Sequence, residues 1–438
     1  MSEIFSLIPE WAPTEYGSEE IRQTSGSLRI NVRNRSVIRV DDDWAKSVRD
    51  TVRVSSYPLA LWFASNWWRL CWEPTPETKP STDWCLSHEM HGSGHGFLWP
   101  PVRFASDGEA VSIICTPSAA ESSEPIRYLT TPQDSIPLNI FMETVAAFIQ
   151  TVLARLETCG IRNTELHTLW QEVTRERADP ESRYHRQLEA QLGFDPDDAP
   201  ERVVNALLNL AKSAGKSSVA EIAAACAGRD PDSLLHSIEQ STRCPGIQGN
   251  LSAIPKVTLG HPPAIPERPW ERGYTLAQAV RAELGIHMEP LEDKHLCDLF
   301  AVPAGTLMEG EAPMKGIPWS LAIRNAENSQ VSLLFRRNHR HGRRFEMARW
   351  LADIQSTSLH DRWLPATDVK KMARQKMQRA FAAELLAPIA ALRSFLTEDL
   401  TDEDRILDAG NHFGVSPQVV EKQLVNHGLL SPETERME

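Results

Sequence analysis

Apolar and polar positions alternate at Leu28, Ile30 and Val32 and again around Val37, Ile38 and Val40, which predicts short, half-buried strands. From Tyr57 to Trp72 the pattern changes to a helix that is apolar on nearly every side, opening at Ser55 or Ser56 with Pro58 in its first turn. Its Trp62, Trp67, Trp68 and Trp72 are therefore expected in a core rather than as stacking platforms for bases. Another strand is expected over Ala110–Cys115. Ser, Thr and Pro crowd residues 116–137, after which Ile140, Val145, Phe148, Ile149, Val152 and Leu156 recur at helical spacing and open a helical region reaching about 243. Within it, VVNALLNLAKSAGKSSVAEIAAACAG has the outline of a helix-turn-helix, but two short helices meeting at a glycine are common in helical domains, so packing is the expected role.

Between 245 and 273 Pro and Gly concentrate and the periodicity stops, which marks a semi-extended connector. The remainder reads as helix (YTLAQAVRAELGI), helix (PLEDKHLCDLFAV), hairpin (WSLAIRN and VSLLFRR), helix (RRFEMARWLADI) and helix (TDVKKMARQKMQRAFAAELLAP). Thr367 or Asp368 is placed to cap the last of these and Pro388 to end it; a helical pair turning at Gly414, with Ser416 as cap and Pro417 in the first turn, follows. The expected architecture is multidomain α+β: an α+β domain over 1–130, a helical domain over 131–244, the connector over 245–273, and a mainly helical domain with a small hairpin or sheet over 274–438.

Composition narrows the function classes only a little. A net charge of -13 argues against coating nucleic acid through the overall field, while leaving room for a local basic patch. Cys71, Cys85, Cys115, Cys159, Cys226, Cys244 and Cys297 form no C-x-x-C pair, as expected of reduced thiols in a cytoplasmic protein. No apolar run is long enough to cross a bilayer and no targeting signal is visible, so neither a membrane partner nor a secreted location is expected.

The succession RRFEMAR, FAAELLAP and FGVSPQVVEKQLVNHGLL resembles the ImmA/IrrE family of bacterial and phage zinc peptidases, over roughly residues 274 to 430. The resemblance implies a zincin-like domain in which one helix carries H-E-x-x-H: two histidines four apart grip Zn²⁺ and the Glu takes a proton from the metal-bound water. Placed on that pattern, this chain has Arg349 at the first His, Trp350 at the Glu and Asp353 at the second His. The family's acidic third ligand falls near Gln375 or Met377, and no Asp or Glu occurs between Asp368 and Glu384. A guanidinium carries a permanent positive charge and an indole accepts no proton, so loss of zinc, of any other cofactor and of peptidase activity is expected, with Arg349 and Asp353 forming an ion pair at the vacated positions. What the resemblance implies about function is a pseudo-peptidase acting as scaffold, sensor or regulator in a prokaryotic phage-defence, toxin-antitoxin or stress-response system. Its implied partner is a helix-turn-helix repressor or a subunit of a defence complex.

Two clusters stand outside that pattern. His88, His91 and His95, with Cys85 and Glu89 nearby, are the best metal-like group, yet Gly92, Gly94 and Gly96 point to a flexible loop with solvated histidines. Arg336, Arg337, Arg340, Arg343 and Arg344, interleaved with His339 and His341, crowd the turn after a strand and offer a site for nucleic acid or an acidic partner, or else a solvated hairpin tip. A relocated metal site would draw on the first histidine group or on His339, His341 and His360.

Overall fold

The computed structural model describes residues 4–43, 45–118, 126–131, 133–257, 268–367, 369, 372–396, 400 and 402–431. It is an α+β protein in which helices carry small antiparallel sheets. The chain divides into two compact units, Met1–Val204 and Asn205–Glu438. Among the described residues no helix is long and apolar enough to cross a membrane, and all seven cysteines are free.

In the first unit the alternation at Leu28, Ile30 and Val32 becomes the strand Ser25–Val32, paired antiparallel with Phe5–Trp11 on one side and Val52–Ser55 on the other. Ala110–Cys115 is a strand as expected, flanked by Val102–Ser106 and Gln133–Pro137. The Trp-rich segment is two helices, Ser56–Ser65 and Trp67–Trp72, rather than one. The break is at Asn66, whose side chain donates to the Trp62 carbonyl (2.9 Å) and so competes with helix continuation. Ser55 caps the first helix, its Oγ accepting from the Tyr57 N–H at 3.3 Å. Trp67 and Trp68 are buried, as packing required.

The helix Leu138–Thr158 lays Phe141, Val145, Phe148, Ile149 and Val152 into the same core as the sheets, and that core continues through Leu166 and Trp170 to Ala190. A shared core is why the first unit runs to 204 instead of stopping near 130, and why the expected separate helical domain is divided between the two units.

Numbered within the second unit, the elements are α1 (Lys216–Ala225), α2 (Pro231–Arg243), β1 (Ile247–Asn250), α3 (Pro269–Glu283), α4 (Asp293–Leu299), β2 (Trp319–Arg324), β3 (Gln330–Leu334), α5 (Arg340–Ser356), β4 (Trp363–Thr367), α6 (Ala373–Leu386), α7 (Ile389–Leu396), α8 (Glu403–Phe413) and α9 (Pro417–Asn426). The sheet runs β1-β3-β2-β4, antiparallel throughout. The connector is thus more ordered than its composition implied: residues 247–250 pair with β3 and residues 269–273 are the first turn of α3, while 258–267 lie outside the described residues.

The helix-turn-helix outline resolves as packing. Ser218 through Ala225 of α1 are all buried, Ser218 donates to the Trp363 carbonyl of β4, and a Cβ at Gly215 would lie 2.6 Å from Asp361 Cα, leaving no face for a DNA groove. Helices α3 and α5 both pack along α6. The α3 approach is close at Gly273, where a Cβ would stand 2.5 Å from the Met377 carbonyl oxygen. Helix α6 starts later than expected: Thr367 is the last residue of β4, Met372 takes the cap position, and Asp368 lies outside the described residues. The α8–α9 turn is as read, with Gly414 left-handed and Pro417 in the first turn, but the Ser416 side chain makes no capping bond.

Candidate functional site

Arg349, Trp350 and Asp353 of α5, the positions that the resemblance aligns with the zinc motif, go to three different environments. Arg349 is buried, and its guanidinium donates to the Thr367 carbonyl (2.8 Å), to Gln378 Oε1 (3.2 Å) and to Gln375 Oε1. Trp350 turns into the core against Phe335, ring centroids 5.1 Å apart. Asp353, fully buried, receives Arg374 from α6 through Nε (3.2 Å to each oxygen) and Nη2 (2.6 Å). The expected ion pair between Arg349 and Asp353 is therefore not the one made. The reason is reach: α6 presents its own arginine to Asp353 and two glutamines to Arg349, so each group is satisfied across the helix pair rather than along α5.

Gln375 joins these groups to α1. Its Oε1 also accepts from the Thr367 N–H (3.1 Å) and its Nε2 donates to Glu221 Oε2 (2.6 Å). Burial pushes the Glu221 carboxyl up to about 7, against the pull of Arg374 and of the Gln375 hydrogen bond. Met377, the other residue that the resemblance sets near an acidic ligand, is buried and offers only a thioether. Zinc does not fit this donor set: among the described residues the acceptors bonded to Arg349 are amide and carbonyl oxygens, and the Asp353 carboxylate is held by Arg374.

Over this network opens a cleft of about 920 Å³. One turn before Arg349 on α5, Glu346 lines it, buried and accepting from the backbone N–H groups of Arg336 (3.3 Å) and Arg337 (3.4 Å). Burial pushes its carboxyl up to about 7 while those two amides oppose the shift. Glu346 is the only carboxylate lining the cleft among the described residues. The cations are many: Arg336 and Arg337 from the loop before α5, Lys376 and Arg379 one turn apart on α6, and Lys422 on α9. Helix α3 adds Trp270 and Tyr274, with the Arg268 guanidinium 5.4 Å from the Trp270 ring.

The arginine cluster divides accordingly. Arg336 and Arg337 line the cleft, whereas Arg340, Arg343 and Arg344 are not a hairpin tip but the opening turns of α5. Arg340 and Arg344 both pair with Asp293 of α4, and Arg344 also donates to the carbonyls of Gly414 (2.9 Å) and Leu291 (2.6 Å). Arg343 is buried and donates to the Thr306, Met308 and Glu311 carbonyls. Of the two histidines, His339 caps α5 by accepting from the Gly342 N–H (3.2 Å) and His341 is pushed below its usual range, first by burial and then by Arg340 and Arg344.

The first histidine group is not a solvated loop throughout. His88 ends the helix Thr82–His88, is fully buried, stacks on Trp84 and is hydrogen-bonded to Glu73 Oε2 (2.9 Å) and the Phe104 carbonyl (3.0 Å). His91 and His95 are exposed. Among the described residues no three His, Cys, Asp or Glu side chains come together as a metal-binding group, so neither His88, His91 and His95 nor His339, His341 and His360 are assembled into one. Glu346, Lys376, Arg379, Lys422 and Trp270 were not foreseen as site residues; only the i, i+3 pairing of Lys376 and Arg379 left a local trace in the sequence.

Comparison with family models, with curated proteins and with solved structures returns no match for this chain.

Proposed function

We propose that this chain is a catalytically inactive regulator or scaffold whose second unit keeps the outline of an ImmA/IrrE-type peptidase and uses its cleft for recognition instead of hydrolysis. What supports the reading is the Arg349 guanidinium, seated on Thr367, Gln375 and Gln378 where the resemblance puts the first zinc-binding histidine. A fixed positive charge there repels a divalent ion, and Trp350, packed on Phe335, accepts no proton from water. The partner is a protein, with a helix-turn-helix repressor or a subunit of a prokaryotic phage-defence, toxin-antitoxin or stress-response complex as the candidates that the resemblance implies. The test is elemental analysis of purified protein together with casein and repressor cleavage, with and without added Zn²⁺ or chelator. The expected result is zinc far below one ion per chain and no cleavage under any condition. Stoichiometric zinc lost on chelation, together with chelator-sensitive cleavage, overturns the reading.

A further inference from the structure

We propose that Glu73 and His88 of the first unit form a proton-dependent latch: one proton, held between His88 Nε2 and the Glu73 carboxylate, keeps residues 74–87 closed, and its loss as pH rises lets them open. His88 is fully buried and both of its ring nitrogens face acceptors, Nδ1 the Phe104 carbonyl at 3.0 Å and Nε2 the Glu73 Oε2 at 2.9 Å. A carbonyl oxygen only accepts, so the hydrogen-bond network puts a hydrogen on Nδ1. A neutral imidazole then aims a bare lone pair from Nε2 at a carboxylate oxygen, which is itself an acceptor. That contact needs a second proton. Glu73 is the poorer place for it: Arg69 donates to Oε2 through Nε (2.6 Å) and to Oε1 through Nη2 (3.2 Å), a fork that favours the ionised carboxylate. His88 therefore holds both protons, as the imidazolium.

The surroundings suit a cation there. Trp84 stacks on the His88 ring, centroids 4.1 Å apart and planes within 9°, so an electron-rich indole face lies against the charge. The charged groups facing the pair, or the arginine bound to it, come from each neighbouring element: Arg69 of helix Trp67–Trp72, Asp83 and Glu89 at the two ends of helix Thr82–His88, Arg103 of strand Val102–Ser106, and Asp195 beyond helix Pro180–Leu192. Asp83 (2.8 Å) and Asp195 (3.4 Å) accept from Arg69 at the exposed rim, while Arg103 is taken up by Glu89 (2.9 Å). Two buried cations thus meet three carboxylates, so the imidazolium is compensated. His91, in the turn Met90–Ser93, is exposed. The latch ties three elements, since Glu73 follows helix Trp67–Trp72, His88 ends helix Thr82–His88, and Phe104 lies in the strand. Without the proton two lone pairs stand in contact at a buried ring, a cost that is relieved when His88 swings out and the segment leading to it opens.

The experiment has two readouts on the full chain. Nitrogen NMR of isotope-labelled histidine rings at about pH 7, with the His88 signals assigned by their loss in His88→Asn, is expected to show both ring nitrogens protonated. Hydrogen exchange at the amides of residues 84–88, corrected for the intrinsic pH dependence of exchange, is expected to lose protection by about tenfold for each pH unit above about 6.5, because opening releases one proton. The loss levels off once the closed form has given up the proton as well. Glu73→Gln offers His88 an amide N–H to accept, so a neutral ring satisfies both contacts; in that variant the pH dependence is expected to vanish. A neutral His88 in the parent in either tautomer, protection that does not change with pH, or the same pH dependence in Glu73→Gln overturns the latch. The first two are read on the parent, so they decide the matter even where the variant fails to fold.

Discussion

Removing Asp353 by Asp353→Ala tests the buried network that joins α5 to α6. Asp353 is fully buried and receives three contacts from Arg374, whose side chain is itself only 10% exposed. Losing one member of a buried, hydrogen-bonded ion pair costs about 3–5 kcal/mol, mostly the penalty for the charge left behind. Glu221 moderates that cost. The Asp353 charge helps to keep Glu221 protonated while Arg374 favours its ionised form, so without Asp353 the Glu221 carboxyl drops from about 7 and ionises toward Arg374. The loss is therefore expected to be near the full ~3–5 kcal/mol at acidic pH, where Glu221 is protonated with or without Asp353, and to be smaller at about pH 8. Replacing both partners, Asp353→Leu with Arg374→Met, removes both charges and is expected to lie within about 1–2 kcal/mol of the parent, giving a large coupling in the double-mutant cycle. Because the chain has two units, a single melting curve does not isolate the effect; native-state hydrogen exchange at α5 and α6 amides in low urea does. A single-mutant loss below about 1 kcal/mol, or singles and double that simply add, refutes the pairing.

Three further outcomes follow from the same geometry. Glu221 has a folded value of about 7 against an ordinary 4.5, so folding favours its protonated form; its unfolded form ionises first as pH rises, and stability is lost between about 4.5 and 7. At about 1.4 kcal/mol for each pH unit, this amounts to about 3 kcal/mol, and Glu221→Gln is expected to flatten that part of the stability-pH curve, read by native-state hydrogen exchange at α1 and α6 amides of the full chain. Glu346 is buried with a similarly raised value of about 7, so folding favours its protonated form as well; stability is expected to fall between about 4.5 and 7, and Glu346→Gln to remove that fall, read by hydrogen exchange at α5 amides. Gly273→Val drives a side chain into the backbone of α6 at Met377 and Phe381 and is expected to cost about 1–3 kcal/mol or more, read as faster exchange at α3 and α6 amides.

How far the sequence revealed this protein depends on whether a residue's partner is near it in the chain. The β2–β3 hairpin, α5 and the Ala110–Cys115 strand were legible because their apolar repeats are local. Strand β4 was not: all five of its positions are buried, so nothing alternates, and Pro365 argues against a strand unless it lies at a sheet edge, as β4 does. The five arginines near α5 looked alike in sequence, and what separates them is Asp293, about fifty residues earlier, together with backbone carbonyls that only the folded α4 and α8–α9 turn supply. His88 looked solvated because glycines follow it, yet its environment is fixed by Glu73, Trp84 and Phe104. The cleft is the extreme case: Arg336, Arg337 and Arg349 stood out in the sequence, but nothing there tied them to Arg268, Lys376, Arg379 or Lys422, which line the same space. A hydrolytic motif announces itself because two ligands and a base must share one helical face; a cleft assembled from four segments carries no such local constraint, and only the fold brings its lining together.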